Sequence, residues 1–122
     1  MKILYVNDDP IEGILRRALR DVGIKAEIVL AETESRAREF LSRADEFDVV
    51  LMDYDMDLGI RRNTVATGLV QAFVYAGFGV GKKPLVANSR TANPTLLNNG
   101  CSHQCYPILD GFVYLFETDL KK

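Results

Sequence analysis

Short apolar runs recur along this chain, and each gives way to a stretch of helical spacing. The runs are Ile3 to Val6, Ala26 to Leu30, Val49 to Met52 and Leu85 to Asn88. Each has the length of one strand and is bounded by polar or turn-forming residues. Val49 to Met52 is apolar at every position, a pattern that belongs to a strand covered on both faces, as in a parallel sheet. Between the runs, apolar residues return at steps of three and four. Ile11, Ile14, Leu15, Ala18, Leu19 and Val22 precede a stop at Gly23. Ala37, Phe40, Leu41 and Ala44 follow two candidate N-caps, Thr33 and Ser35. Leu69, Val70, Phe73 and Val74 lead into the glycine-rich FGVGKK, after a polar stretch from Tyr54 to Thr67 that reads as a long loop. Asn93 and Pro94 suit the start of a short fourth helix, and Gly100 its end. A weak fifth strand is read around Ser102 to Tyr106, and a final helix over Ile108 to Leu120. Strands alternating with helices in this way predict an α/β protein. Its core would be a doubly wound, five-stranded parallel sheet between two helical layers.

The chain has 122 residues, enough for one domain with its own core, read here as spanning 1–122. Its formal net charge of −2 gives no electrostatic reason to expect nucleic acid. No apolar run approaches the roughly 20 residues that span a bilayer. The opening MKILYVNDDP lacks the layout of a secretory signal, and two cysteines do not make a disulfide framework. A cytoplasmic protein is expected.

Carboxylates gather where strands end. Asp8 and Asp9 follow the first run, and Asp53 closes DVVLMD. In doubly wound sheets the site lies beyond the C-terminal strand ends, at the switch in strand order. Three carboxylates meeting there repel one another unless a cation sits among them. Oxygen-only donors suit a hard divalent ion, most simply Mg2+. An aspartate beside Mg2+ is a candidate phosphoryl acceptor. Aspartate at a strand end is also a common turn or helix-cap residue. Asp8 or Asp9 alone fits that role, but the repetition at several strand ends favours a pocket.

These residues, in this order, resemble the receiver domain of bacterial two-component response regulators. That family has an acidic pair after the first strand, an aspartate after the third, Ser or Thr after the fourth and Lys-Pro after the fifth. This chain supplies DDP at 8–10, Asp53, and Ser89 within LVANSR, and the likeness runs over essentially the whole chain. The segment TANPTLLNNGC also looks like the family's short fourth helix. The resemblance implies the flavodoxin-like (βα)5 fold. It implies Mg2+ held by Asp8 or Asp9, by Asp53, and by a backbone carbonyl near Asp55. Asp53 would take a phosphoryl group from a histidine kinase or phosphotransfer protein, and Ser89 would contact that group. A stand-alone receiver would then pass its signal to a downstream protein.

Three departures accompany the likeness. Tyr106 stands before Pro107 where the family has Lys, and Gln104 stands at the aromatic switch position. The loop after Asp53 is long and carries Asp55 and Asp57. A replacement cation is sought in Arg90, Lys82 or Lys83, placed by the sequence reading at the same sheet edge. The missing Lys favours a rival: a pseudo-receiver that is never phosphorylated and acts as a binding module. A second rival is a phosphohydrolase. Asp53 and Asp55 in DYDMD resemble the nucleophile and acid-base pair of haloacid dehalogenase-type enzymes, although that family carries the motif on its first strand.

Two further features read more plainly. Cys101, His103 and Cys105 have alternate spacing that suits a zinc site, but no fourth ligand is evident and packing is the better reading. Phe112, Tyr114 and Phe116 enrich the final helix in aromatics, which fits a core face and, as the functional alternative, a homodimer or partner surface.

Overall fold

The structure, a computed structural model, describes residues 1–7, 12–53, 62–88 and 100–105, with the backbone alone at 12, 53, 62–66, 88, 104 and 105. The fourth helix and the final helix expected from the sequence lie outside these residues. The elements run β1 (Lys2–Val6), α1 (Glu12–Asp21), β2 (Glu27–Ala31), α2 (Glu34–Glu39) and a 3-10 stretch (Phe40–Glu46). They continue with β3 (Val49–Asp53), α3 (Arg62–Tyr75), β4 (Leu85–Asn88) and β5 (His103–Cys105). All five strands are parallel, in the order β2-β1-β3-β4-β5.

That order dictates the layers. The step from β1 to β2 moves one way along the sheet, and every later step moves the other way. Right-handed crossovers therefore put α1 on one face and α2 and α3 on the opposite face. The buried side chains follow. Leu4, Val6, Val50, Met52, Leu85 and Ala87 point toward α2, the 3-10 stretch and α3, where Ala37, Phe40, Leu69, Val70 and Phe73 meet them. The alternate residues Ile3, Tyr5, Val49, Leu51 and Val86 share the other cluster with Leu15 and Leu19 of α1. Alternation along each strand thus feeds two cores, which is why the runs are apolar throughout.

Local chemistry explains the ends. Thr33 caps α2, its hydroxyl accepting the Arg36 N–H at 3.1 Å. Beyond α1, the Gly23 and Ile24 N–H groups donate to the Arg20 and Leu19 carbonyls, with Gly23 at φ 80. Ser102 ties the start of β5 to β4. Its hydroxyl accepts the Leu85 N–H at 2.9 Å, while its own N–H donates to the Leu85 carbonyl at 2.8 Å.

One expectation needs correction. Residues 62–67, read from the sequence as part of a loop, belong to α3. Polar residues occupy that first turn because its N–H groups have no partner within the helix, so polarity there does not mark a loop. On α1, Leu15 and Leu19 are buried, but Ile14 is 55% exposed, and Val22, one residue beyond the helix, is 45% exposed. One sheet face covers a narrower arc than the six-residue apolar pattern spans.

At the N-terminal edge of the sheet, Glu46 receives Arg43 at 2.7 Å and Lys2 at 3.2 Å. The Arg43 hydrogen bond, then that of Lys2, pulls its carboxyl from an ordinary 4.5 to about 2. Because the folded value is depressed, the linkage favours folding above the unfolded pKa and is lost as pH falls from about 4.5 toward 2. The group stands in solvent, so screening keeps its share of stability small. In a carboxyl NMR titration, Glu46 should titrate near pH 2, and Arg43→Gln should move it back toward 4.5. An unchanged midpoint in that variant would show that Arg43 is not the cause.

Candidate functional site

The C-terminal edge of the sheet is built by register. Asp53 pairs with Asn88, and Asn88 with Cys105. Val6 pairs with Met52, so Asn7 leaves β1 level with the end of β3. The chain reverses its direction of travel between β1 and β3, and the crevice at such a switch point is where doubly wound sheets place their sites. Asp53 stands beside it. The backbone that continues into Asp8 and Asp9 departs from the neighbouring strand, and the backbone that continues into Ser89 departs from β4 next to Asp53. Asp8, Asp9, Asp55, Ser89 and Tyr106 themselves lie outside the described residues.

Sequence reasoning passed over the pair that anchors the first of these departures. Asn7 is buried, 2% exposed, and its side-chain amide donates to the Tyr5 hydroxyl at 2.6 Å. Its own N–H donates to the Ala31 carbonyl at 3.0 Å, which carries the β1–β2 pairing one residue beyond the strand. Two buried polar side chains joined in this way favour one position of the strand exit, because breaking a buried hydrogen bond is costly. The signal was present as Tyr5 and Asn7 at alternate positions, which share a face in an extended chain.

Lys82 and Lys83 are at the wrong edge to serve Asp53. They precede β4, whose C-terminal end carries the site. Lys83 is also committed: its ammonium donates to the Phe47 carbonyl at 2.9 Å and the Asp45 carbonyl at 3.3 Å, just ahead of β3. Position next to a strand does not reveal which end of the strand is meant, and here it is the N-terminal one. Arg90 lies outside the described residues.

Cys101 belongs to the core rather than to a metal site. It is 2% exposed within the apolar cluster under α3, and burial pushes its thiol up to about 12. His103 meets the Ser102 hydroxyl at 2.8 Å through Nδ1. Among the described residues, no three His, Cys, Asp or Glu side chains gather as metal ligands. No helix among those residues is long and apolar enough to cross a membrane.

Solved structures similar to this chain include receiver domains. The chain aligns over 100% of its length with 100% of the BeF3-activated N-terminal receiver domain of Klebsiella pneumoniae RstA, at TM-score 0.73 and 20% identity. It aligns over 99% with 98% of a signal receiver domain of a two-component histidine kinase from Clostridium thermocellum, at TM-score 0.73 and 11% identity. A CheY-like receiver domain protein from Methanospirillum hungatei matches over 98% of this chain and 93% of its own, at TM-score 0.65 and 21% identity. At such identities the likeness is one of fold, and the chain has the fold of response-regulator receiver domains. No family model and no curated protein sequence matches it.

Proposed function

We propose that this chain is a receiver-like domain of two-component signalling, folded as one unit over 1–122, with Asp53 as its phosphoryl acceptor. The observation that carries the reading is the place of Asp53. It ends a central strand at the switch point of a sheet in receiver order, paired with Asn88 and level with the exit of β1. In the sequence, Asp8 and Asp9 follow β1 and Ser89 follows β4, the two strands that flank β3.

The donor chemistry fits Mg2+. Asp8 or Asp9, Asp53 and the backbone near Asp55 offer hard oxygens and no soft ligand. When bound, the ion neutralises charge on the transferring phosphoryl oxygens. Asp53 then needs only to be aimed. A carboxylate oxygen bonds to phosphorus, the phosphorus–nitrogen bond of the donor phosphohistidine breaks, and its electron pair returns to the imidazole. Ser89 donates a hydrogen bond to the transferred group. The donor would be a histidine kinase or phosphotransfer protein, and the readout contact with a downstream protein.

The second reading, a pseudo-receiver that binds partners without being phosphorylated, is favoured by Tyr106 in the Lys position and by Gln104 at the switch position. Acetyl phosphate with Mg2+ separates the two by intact mass. One added phosphoryl group, lost with EDTA and in Asp53→Asn, is expected. No added mass and no Mg2+ binding would leave the binding module. Continuous release of phosphate from an ester, dependent on Asp55, would point to the hydrolase instead.

A further inference from the structure

A basic groove opens at the edge of the sheet opposite Asp53. It has a volume of about 800 Å3 and lies between α1 and the segment that leads into β2. Arg16, Arg17, Arg20 and Lys25 line it, with Ile24 and Ala26 as apolar wall. Met1, Lys2 and Asp48 close it where β1 begins and β3 is about to begin. β1 has five residues, so the groove and the Asp53 edge are separated by roughly one strand length, about 15 Å.

Of these basic side chains the fold engages Arg16, whose guanidinium donates to the Ile28 carbonyl at 3.1 Å. Among the described residues, Arg16, Arg17, Arg20 and Lys25 form no ion pair, whereas Arg36, Arg38 and Arg43 each meet a glutamate on their own helical stretch. Arg16 and Arg20 stand four residues apart and Arg17 and Arg20 three apart, spacings at which like charges repel across a helix surface. Arg20 is not needed to close the helix, because the Arg20 and Leu19 carbonyls already receive the Gly23 and Ile24 N–H groups. A concave site lined by five cationic side chains, Lys2 among them, against the carboxylates of Glu27 and Asp48 raises the local concentration of anions on a chain of net charge −2.

The shape selects the kind of anion. The volume is that of a small-molecule pocket. Glu27 and Asp48 stand in its lining, and Glu46 lies close by, paired with Lys2. A compact anion can seat against the arginines of the α1 wall, whereas a continuous polyanion laid along this edge would also cross the carboxylates on the strand side. The apolar wall offers a surface to an organic moiety beside the charged groups. We propose that this groove binds a small organic polyphosphate of the nucleotide class, independently of Asp53.

The test is calorimetric titration of the full chain with ATP, inorganic triphosphate and AMP, in EDTA and low salt. EDTA removes any metal-bridged binding at the acidic edge. ATP should bind, triphosphate more weakly, and AMP weakest. Arg17→Glu with Arg20→Glu should weaken ATP at least tenfold, while the single reversal Lys82→Glu, outside the lining, and Asp53→Asn should leave it unchanged. Circular dichroism establishes that each variant is folded. Absence of ATP binding, equal loss in Lys82→Glu, or loss in Asp53→Asn would overturn the proposal. So would tighter binding of a single-stranded oligonucleotide than of ATP, which would make the groove a nucleic-acid surface.

Discussion

Phe73→Ala should lower the stability of this domain by about 3–5 kcal/mol, the range for truncating a buried phenylalanine. Phe73 is fully buried on α3, in the cluster that joins that helix to the sheet. Its ring meets the edge of Phe78 at 6.1 Å between centroids and 88° between planes. Such a pair adds about 0.5–1.5 kcal/mol beyond area burial. The backbone is coupled to the same place, because the Phe78 N–H donates to the Phe73 carbonyl at 3.1 Å. Truncation therefore opens a cavity, removes the aromatic partner of Phe78 and loosens the turn that delivers the chain to β4. The whole domain has about 5–15 kcal/mol to lose. Urea unfolding followed by circular dichroism measures the effect as a lower midpoint at unchanged slope. Tyr75→Ala, two residues on and 96% exposed, is the matched control and should be near neutral. A loss below about 1 kcal/mol in Phe73→Ala would mean that α3 is not held by this cluster.

The sheet was readable because a doubly covered strand leaves a dense mark. DVVLMD needs no periodicity argument, since a short run apolar at each step suits a strand covered on both faces, as in a parallel sheet. Helix edges were harder for an opposite reason. Arg62 to Thr67 carry the polar residues that a first turn tolerates, so α3 announced itself only from Leu69 onward. Around α1 the apolar pattern was real, yet among the described residues Leu15 and Leu19 are the ones fully buried against the sheet, while Ile14 and Val22 stand exposed.

The candidate site divides along the same line. Asp53 could be read directly, because its place depends on its own strand. The neighbours Asn7 and Asn88 could not, because register is a property of pairing between strands and a shift of one residue would replace them. The Tyr5–Asn7 bond is of this kind as well, since its value depends on both side chains being buried. Lys82 and Lys83 show the converse error. They are close to β4 in sequence, but they sit at the end where the strand begins. The groove beside α1 was missed altogether, since its cations come from a helix and a loop that meet only in the folded chain.

Gly100→Ala is the second large effect expected, and it tests whether close backbone packing fixes β5. Gly100 has φ 123, where a residue with a side chain is strained. A Cβ there would also lie 2.6 Å from Cγ2 of Val74 on α3. The two penalties have different sources and can be separated. The dihedral cost, on the order of 1–3 kcal/mol, stays with the backbone whatever the neighbour is. The overlap with Val74 disappears if that side chain is shortened, although removing it costs packing of its own. Gly100→Ala alone should therefore destabilise by about 2–4 kcal/mol from strain and overpacking together. In the Val74→Ala background the same substitution should cost less, by about 1 kcal/mol or more, because neighbouring sites that share a clash do not add. Equal costs in both backgrounds would place the whole effect in the dihedral angle. A neutral Gly100→Ala would contradict both the close approach and the left-handed backbone. Gly100 leads directly into Cys101 and Ser102, which seat β5 against β4, so a shift at Gly100 must either be absorbed by Val74 or be transmitted to the strand that completes the sheet.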